Sequence, residues 1–162
     1  MSGGRRCWAL TATVALVAAL AGPAAHRPVA AAEVTFEQRM LELVNRERVA
    51  NGLQPVVANA ILAAAASDAP YLGCPFPVSG RATDMGVRNY FSHAILGCNN
   101  QSVLHLLNAT GLLYSGAGEN IAWVNAITDP LVAAENLHSQ LMSSDMHRAN
   151  ILNPKFTSVG IG

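Results

Sequence analysis

Residues 1–32 constrain this chain more than any later motif, because they decide how much of it folds and in which compartment. Arg5 and Arg6 give a short positive region, Trp8 to Leu20 form an apolar run, and small residues lead to Ala30-Ala31-Ala32. That order is a secretory signal peptide with an A-x-A cleavage site after Ala32; Ala24 is the other cleavage option. The run is too short and too Ala-rich for a membrane span. Gly4-Arg5-Arg6-Cys7-Trp8 is a poor match to a twin-arginine signal. The expected product is secreted, with residues 33–162 as one domain and no membrane span left.

Cleavage changes the charge and the cysteine count. Arg5, Arg6 and Arg27 leave with the leader, so seven of ten basic residues remain against ten acidic ones, a net charge of −3. No basic stripe or tail survives, which argues against nucleic acid as a partner. Of three cysteines, Cys7 is lost and Cys74 and Cys98 remain. A pair in an exported chain reads as a disulfide; two buried thiols are the alternative. Closing that loop would stabilise the fold by about 3–3.5 kcal/mol on the chain-entropy model. Arg outnumbers Lys nine to one and Ala is abundant, a composition typical of a GC-rich bacterial genome.

Helical signals dominate the mature chain. Thr35 and Gln38 form a capping box, and Phe36, Met40, Leu43 and Val44 then recur on one helical face. Asn51-Gly52 stop that helix. Asn45 and Arg48 lie beside its apolar stripe and are expected to bond a nearby loop. A second helix spans Ala60 to Ala69, ended by Pro70. Tyr71 to Gly80 reads as irregular, crowded with Pro and Gly. Short helices are expected over 81–89 and 103–109. His105 on the latter is expected at the surface or in packing.

Gly116-Ala117-Gly118-Glu119-Asn120 is no phosphate loop, having no Lys behind it; its glycines allow a bend that presents Glu119 inward. Asp129-Pro130 starts a helix running to about Met142. Leu131, Ala134, Leu137 or His138, and Leu141 lie along one of its faces, with His138 expected to be partly exposed. Ser144 to Leu152 packs an acid, a His, an Arg and an Asn against Ile151-Leu152, the mixture of a turn forming a pocket wall. Phe156 to Ile161 reads as a strand. No internal repeat or second domain is visible.

The order of short motifs is informative. Leu43-Val44-Asn45-Arg46-Glu47-Arg48, Gly52-Leu53, Asp84-Met85, Tyr90-Phe91-Ser92-His93, Gly118-Glu119-Asn120-Ile121-Ala122, His147-Arg148-Ala149-Asn150-Ile151-Leu152 and Phe156 to Gly162 succeed one another. From about residue 37 onward this resembles the bacterial, SCP-like branch of the CAP superfamily (cysteine-rich secretory, antigen 5 and pathogenesis-related 1 proteins). The resemblance implies an α+β fold, a three-layer α/β/α sandwich around a small, mostly antiparallel sheet. It also implies a cleft lined by His93, Glu119 and His147, with zinc on the histidines. Three positions depart from the pattern. Ser144 stands where a second acid would be, Leu141 replaces a Trp, and the last strand beyond Gly162 is missing.

Such a cleft has three possible uses. His93, His147 and Glu119 suit zinc with an open fourth position. Ser92 or Ser144 would be a nucleophile, with a His as base and Glu119 as orienter, but neighbouring Ser92 and His93 usually point apart. A plain hydrogen-bonded network holding three loops needs no chemistry at all. The expected function is a monomeric, non-catalytic binding module for a lipid, peptide or protein; the alternative is a zinc-dependent hydrolase or peptidase.

Overall fold

Thr35 opens the first helix as its spacing from Gln38 requires. In the computed structural model, which describes residues 33–67, 70–71, 74, 78–125 and 128–162, the Thr35 hydroxyl accepts from the Gln38 amide at 3.3 Å and the Gln38 side chain accepts from the Thr35 amide at 2.9 Å. The expected leader and cleavage site lie outside the described residues. Helix α1 (Phe36–Ala50) comes next, and Gly52 turns the chain at a φ of 72°, where glycine has no Cβ penalty.

At the other end, the Asp129 carboxylate caps Leu131 and Val132 and Pro130 takes the first helical position, giving α5 (Pro130–Ser143). Helix α1 packs chiefly on α5. Met40 and Leu43 meet Ala134 and Leu141 there, with Ile151 of α6 (Asp145–Ile151) completing the core. Ala134 is fully buried, so its small side chain lets the helices approach. Fully burying Leu43 alone contributes about 1.5–3 kcal/mol. His138 faces this packing and is buried, not partly exposed as expected. Three and four residues from Leu141 and Ala134, it shares their inward face.

Arg48 ties α1 to the far end of the chain. It is 1% exposed. Its guanidinium donates to the carbonyls of Gln54 (2.9 Å), Ile151 (2.7 Å), Asn153 (3.0 Å) and Phe156 (2.9 Å). Asn45 exchanges two hydrogen bonds with the backbone of Val56. The expected loop bonding is present, and Arg48 carries it across the fold.

Strands are short. β1 (Val57–Ala58) pairs in parallel with β4 (Ser158–Val159), joining Val57 to Ser158 and Ala58 to Val159. β2 (Pro70–Tyr71) pairs antiparallel with β3 (Val78–Ser79). The stretch expected to be irregular therefore holds a small hairpin, and the strand expected over Phe156 to Ile161 contracts to two residues. Helix α2 (Ala60–Ser67) lies against the chain's last residues. A Cβ added to Gly160 would stand 2.0 Å from the Leu62 carbonyl carbon, so only glycine permits this approach. Among the described residues the fold is α+β, helix-rich with these two small sheets.

Helices α3 (Arg81–Val87) and α4 (Val103–Ala109) fall where expected. Leu106 packs with Ile95 and Cys98 in a second core cluster, against which Cys74 rests. Cys74 and Cys98 are joined as a disulfide with their Cα atoms 5.1 Å apart. His105 is exposed and accepts from the Ser102 amide, capping α4. The chain between Ser144 and Leu152 is not a turn. Ser144 is extended for one residue, and α6 begins at once.

Candidate functional site

Gly80 enters α3 at a φ of 55°, which sets Arg81 at the head of the helix pointing inward. Arg81 is 3% exposed and has three partners. Its Nε donates to Glu119 Oε1 at 2.8 Å, one Nη to the Tyr90 hydroxyl at 2.8 Å and the other to the Ser92 carbonyl at 2.5 Å. Three residues on, Asp84 is also buried and is gripped at both oxygens by Arg88, at 2.6 Å each. Asn89 takes a left-handed turn, φ 53°, bringing Tyr90 back so that its hydroxyl donates to Asp84. The Arg81 and Arg88 guanidiniums lie 6.0 and 5.2 Å from the Tyr90 ring centre.

These neighbours set the protonation states. Burial pushes the Asp84 carboxyl up, but hydrogen bonds from Arg88 and Tyr90 and the charges of both arginines outweigh it and hold the group below its usual range. Burial and the Asp84 carboxylate push the Tyr90 phenol up. Burial disfavours the Arg81 cation, yet its bond to Glu119 raises its pKa further. The network is therefore ionised at Asp84, Arg81 and Arg88 and protonated at Tyr90.

Glu119 is the hinge between this network and the surface. One oxygen accepts from Arg81. The other, Oε2, lies 2.8 Å from His93 Nδ1. A carboxylate can only accept there, so Nδ1 is the donor. Glu119 is 12% exposed and His93 55%, so the imidazole stands at the rim with Nε2 turned away from its carboxylate. Beside them the Ser92 hydroxyl accepts from the Ala94 amide at 3.0 Å and is occupied in that turn.

His147 comes near through its backbone. Its carbonyl accepts from the Asn120 side chain at 2.9 Å, and Asn120 in turn accepts from Asn150 at 2.8 Å. These asparagines clip the Gly118–Ala122 stretch to α6. No hydrogen bond or ion pair among the described residues joins the His147 ring to His93 or Glu119. Ser144 caps α6 by position, and its hydroxyl makes no capping bond.

The expected zinc set of His93, His147 and Glu119 meets this geometry poorly. Both Glu119 oxygens are engaged, one of them by a cation. No group of three His, Cys, Asp or Glu among the described residues is arranged to hold a metal ion. Glu119 stands behind His93, with Oε2 on its Nδ1. The structure brings His93 and Glu119 together, and it joins to them Tyr90 and Asp84, which the motifs contain without a site role, and Arg81, which the motifs leave out. The one local signal for these was Asp84 and Arg88 four residues apart on a helix.

Of two cavities, one is lined in part by residues of the site. A groove of about 970 Å³ runs between residues 112–123 and 156–162, and Arg81, Tyr90 and Glu119 touch one end of it. A second, of about 580 Å³, lies between α1 and α5 over His138. No helix among the described residues is long and apolar enough to cross a membrane.

No family model matches the chain. The YkwD protein of Bacillus subtilis, itself uncharacterized, is 32% identical over 127 residues, covering 78% of this chain and 42% of that protein. The 1.5 Å crystal structure of an extracellular protein containing an SCP domain, from Bacillus anthracis, is similar at a TM-score of 0.60 and 28% identity, over 78% of this chain and 36% of that one. The chain thus spans less than half the length of either relative.

Proposed function

The chain belongs to the SCP-like branch of the CAP superfamily, and from that premise we propose that it acts outside the cell as a monomeric, non-catalytic binding module. Its leader and the extracellular relative support the location. The three-layer sandwich is the arrangement we infer for its helices and sheets. The recognition face is built around His93 and Glu119, with His147 and Ser144 on the neighbouring helix end, and takes a lipid, peptide or protein.

One observation carries this reading: both oxygens of Glu119 are spent, on Arg81 and on His93. The carboxylate thereby becomes a fixed prop that orients an exposed imidazole. It leaves Glu119 itself no free oxygen to act as a base. No serine hydroxyl among the described residues is hydrogen-bonded to an imidazole, so no nucleophile–base couple supports acyl transfer. A second reading, a zinc-dependent hydrolase, is favoured by the same prop. A carboxylate behind Nδ1 is how metal-binding histidines are commonly oriented. It would rest on the His93 and His147 imidazoles as holding groups.

Incubating the purified protein with a peptide pool, with and without added zinc, separates the two. The module turns nothing over in either condition. Cleavage that is lost on chelation and in His93→Ala would establish the hydrolase instead. Zinc-induced thermal stabilisation, compared between wild type and the His93→Ala/His147→Ala double variant, reports the metal directly.

A further inference from the structure

His93 sits on a stretch with little backbone to hold it. Phe91 and Ser92 take part in no backbone–backbone hydrogen bond among the described residues, and Phe91, Ser92 and His93 are all exposed. Side chains from α3 and its C-cap take over that task. Arg81 holds the Ser92 carbonyl just before His93. Arg88, the C-cap, reaches past it: its Nη1 donates to the Leu96 carbonyl at 2.8 Å, which closes residues 88–96 into a ring with His93 inside. The other two arms of the same guanidinium grip Asp84. Asp84 is 4% exposed and also accepts from the Tyr90 hydroxyl, which in turn accepts from Arg81. An Asp–Arg pair four residues apart is an ordinary support for a helix surface. This pair differs in that its acid is buried and both partners reach off the helix, Asp84 to Tyr90 before His93 and Arg88 to Leu96 after it.

We propose that Arg88 is a positioning residue for His93. Its planar fork binds both oxygens of Asp84 and still has a donor for Leu96, so one side chain fastens the exposed loop beyond His93 while Asp84 and Tyr90 fasten it before. The far fastening stands on firm ground, since Ile95 and Cys98 on either side of Leu96 are each 1% exposed and pack with Leu106. A lysine would supply charge for Asp84 but no fork to serve both partners. The proposal rests on the reading of His93 as the centre of the recognition face. Its test measures the loop without any ligand, so a face that binds nothing and a loop that Arg88 does not hold give separate results.

The test is nuclear magnetic resonance of the oxidised, isotope-labelled protein. Order parameters of the Phe91, Ser92 and His93 amides are expected near those of rigid backbone, about 0.85, in the wild type and below about 0.6 in Arg88→Met. The His93 Nδ1 signal should move in the same variant towards that of an unbonded histidine, as its contact with Glu119 is lost part of the time. Arg88→Lys should fall between the two. Arg48→Met is the control: it removes a buried guanidinium whose partners all lie outside residues 88–96, and it should leave both signals in place. The proposal is overturned if the loop is already mobile in the wild type, if Arg88→Met leaves both signals unmoved, or if Arg48→Met moves them as far. Should Arg88→Met fail to fold, Arg88→Lys decides, and wild-type signals there overturn it.

Discussion

Replacing Arg48 with methionine tests whether one buried guanidinium holds the two ends of the chain together. The perturbation keeps an unbranched apolar stem and removes the charge and the donors. Four carbonyls lose the Arg48 donor, from Gln54 after α1, Ile151 at the end of α6, and Asn153 and Phe156 before β4, and of these Asn153 keeps the Phe156 amide. Each hydrogen bond to a charged donor nets about 1.5–3 kcal/mol, and carbonyls left unpaired in the interior add a penalty. Against this, methionine spares the cost of burying a charge, so the four do not sum. A loss of about 4 kcal/mol is expected, in the range found when a buried charge network is broken. That is a large share of the roughly 5–15 kcal/mol typical of a domain. Arg48→Lys, with a compact ammonium in place of a fork, should recover less than half of it. Urea unfolding of the oxidised protein, monitored by circular dichroism, reads both. A loss below about 1 kcal/mol for Arg48→Met, at an unchanged m-value, would mean that water or neighbouring groups satisfy those carbonyls and that Arg48 is no strut.

Buried polar groups give two more expected outcomes. Burial lowers the His138 pKa from its ordinary 6.5, reinforced by Arg46 and opposed by Glu47, and its Nε2 has no hydrogen-bond partner among the described residues. The folded state thus holds that proton less readily than the unfolded one, so its contribution is complete above about pH 6.5 and stability falls as pH drops below it, by at most about 1.4 kcal/mol per pH unit. His138→Leu should flatten that acid slope in unfolding midpoints measured at pH 8 and pH 5; an unchanged slope would place the titration elsewhere. At the other network, Arg81→Met should cost about 3–5 kcal/mol by stranding Glu119, while adding Glu119→Leu should restore much of the loss. A double-mutant cycle measured by denaturation checks the coupling, and simple additivity of the two changes would refute the pair.

Local rules reach part of this fold. The Thr35 and Asp129 caps, the stop at Gly52 and the helix before Gly111 are each decided within four residues, and each stands where expected. Ala134 and Leu141 are legible for the same reason, since one helical period places them on one face. His138 goes against its residue type: a histidine argues for exposure, its helical position argues for burial, and position wins. The polar mixture of Ser144 to Leu152 suggests a turn, yet a short helix held by Arg148 on the Met142 carbonyl tolerates the same mixture. Long-range partners are the hardest to see. Arg81 is 38 residues from Glu119, and nothing in its neighbourhood announces the pairing.

That unseen pairing is what decides the chemistry. His93, Glu119 and His147 are the residues that the motifs single out, and with those alone a metal ligand, a catalytic orienter and a structural prop are all open to Glu119. Arg81 occupies one oxygen of Glu119 and so competes with the first role, while the other oxygen on His93 serves the second and the third alike. What remains is geometric: Arg81 fixes Glu119, Glu119 fixes His93, and the imidazole edge is displayed at a set angle. Arg81 is itself held by Tyr90 and the Ser92 carbonyl, within the stretch that carries His93. Two ends of one short stretch are therefore clamped to the same guanidinium, which fixes the angle at which His93 is displayed.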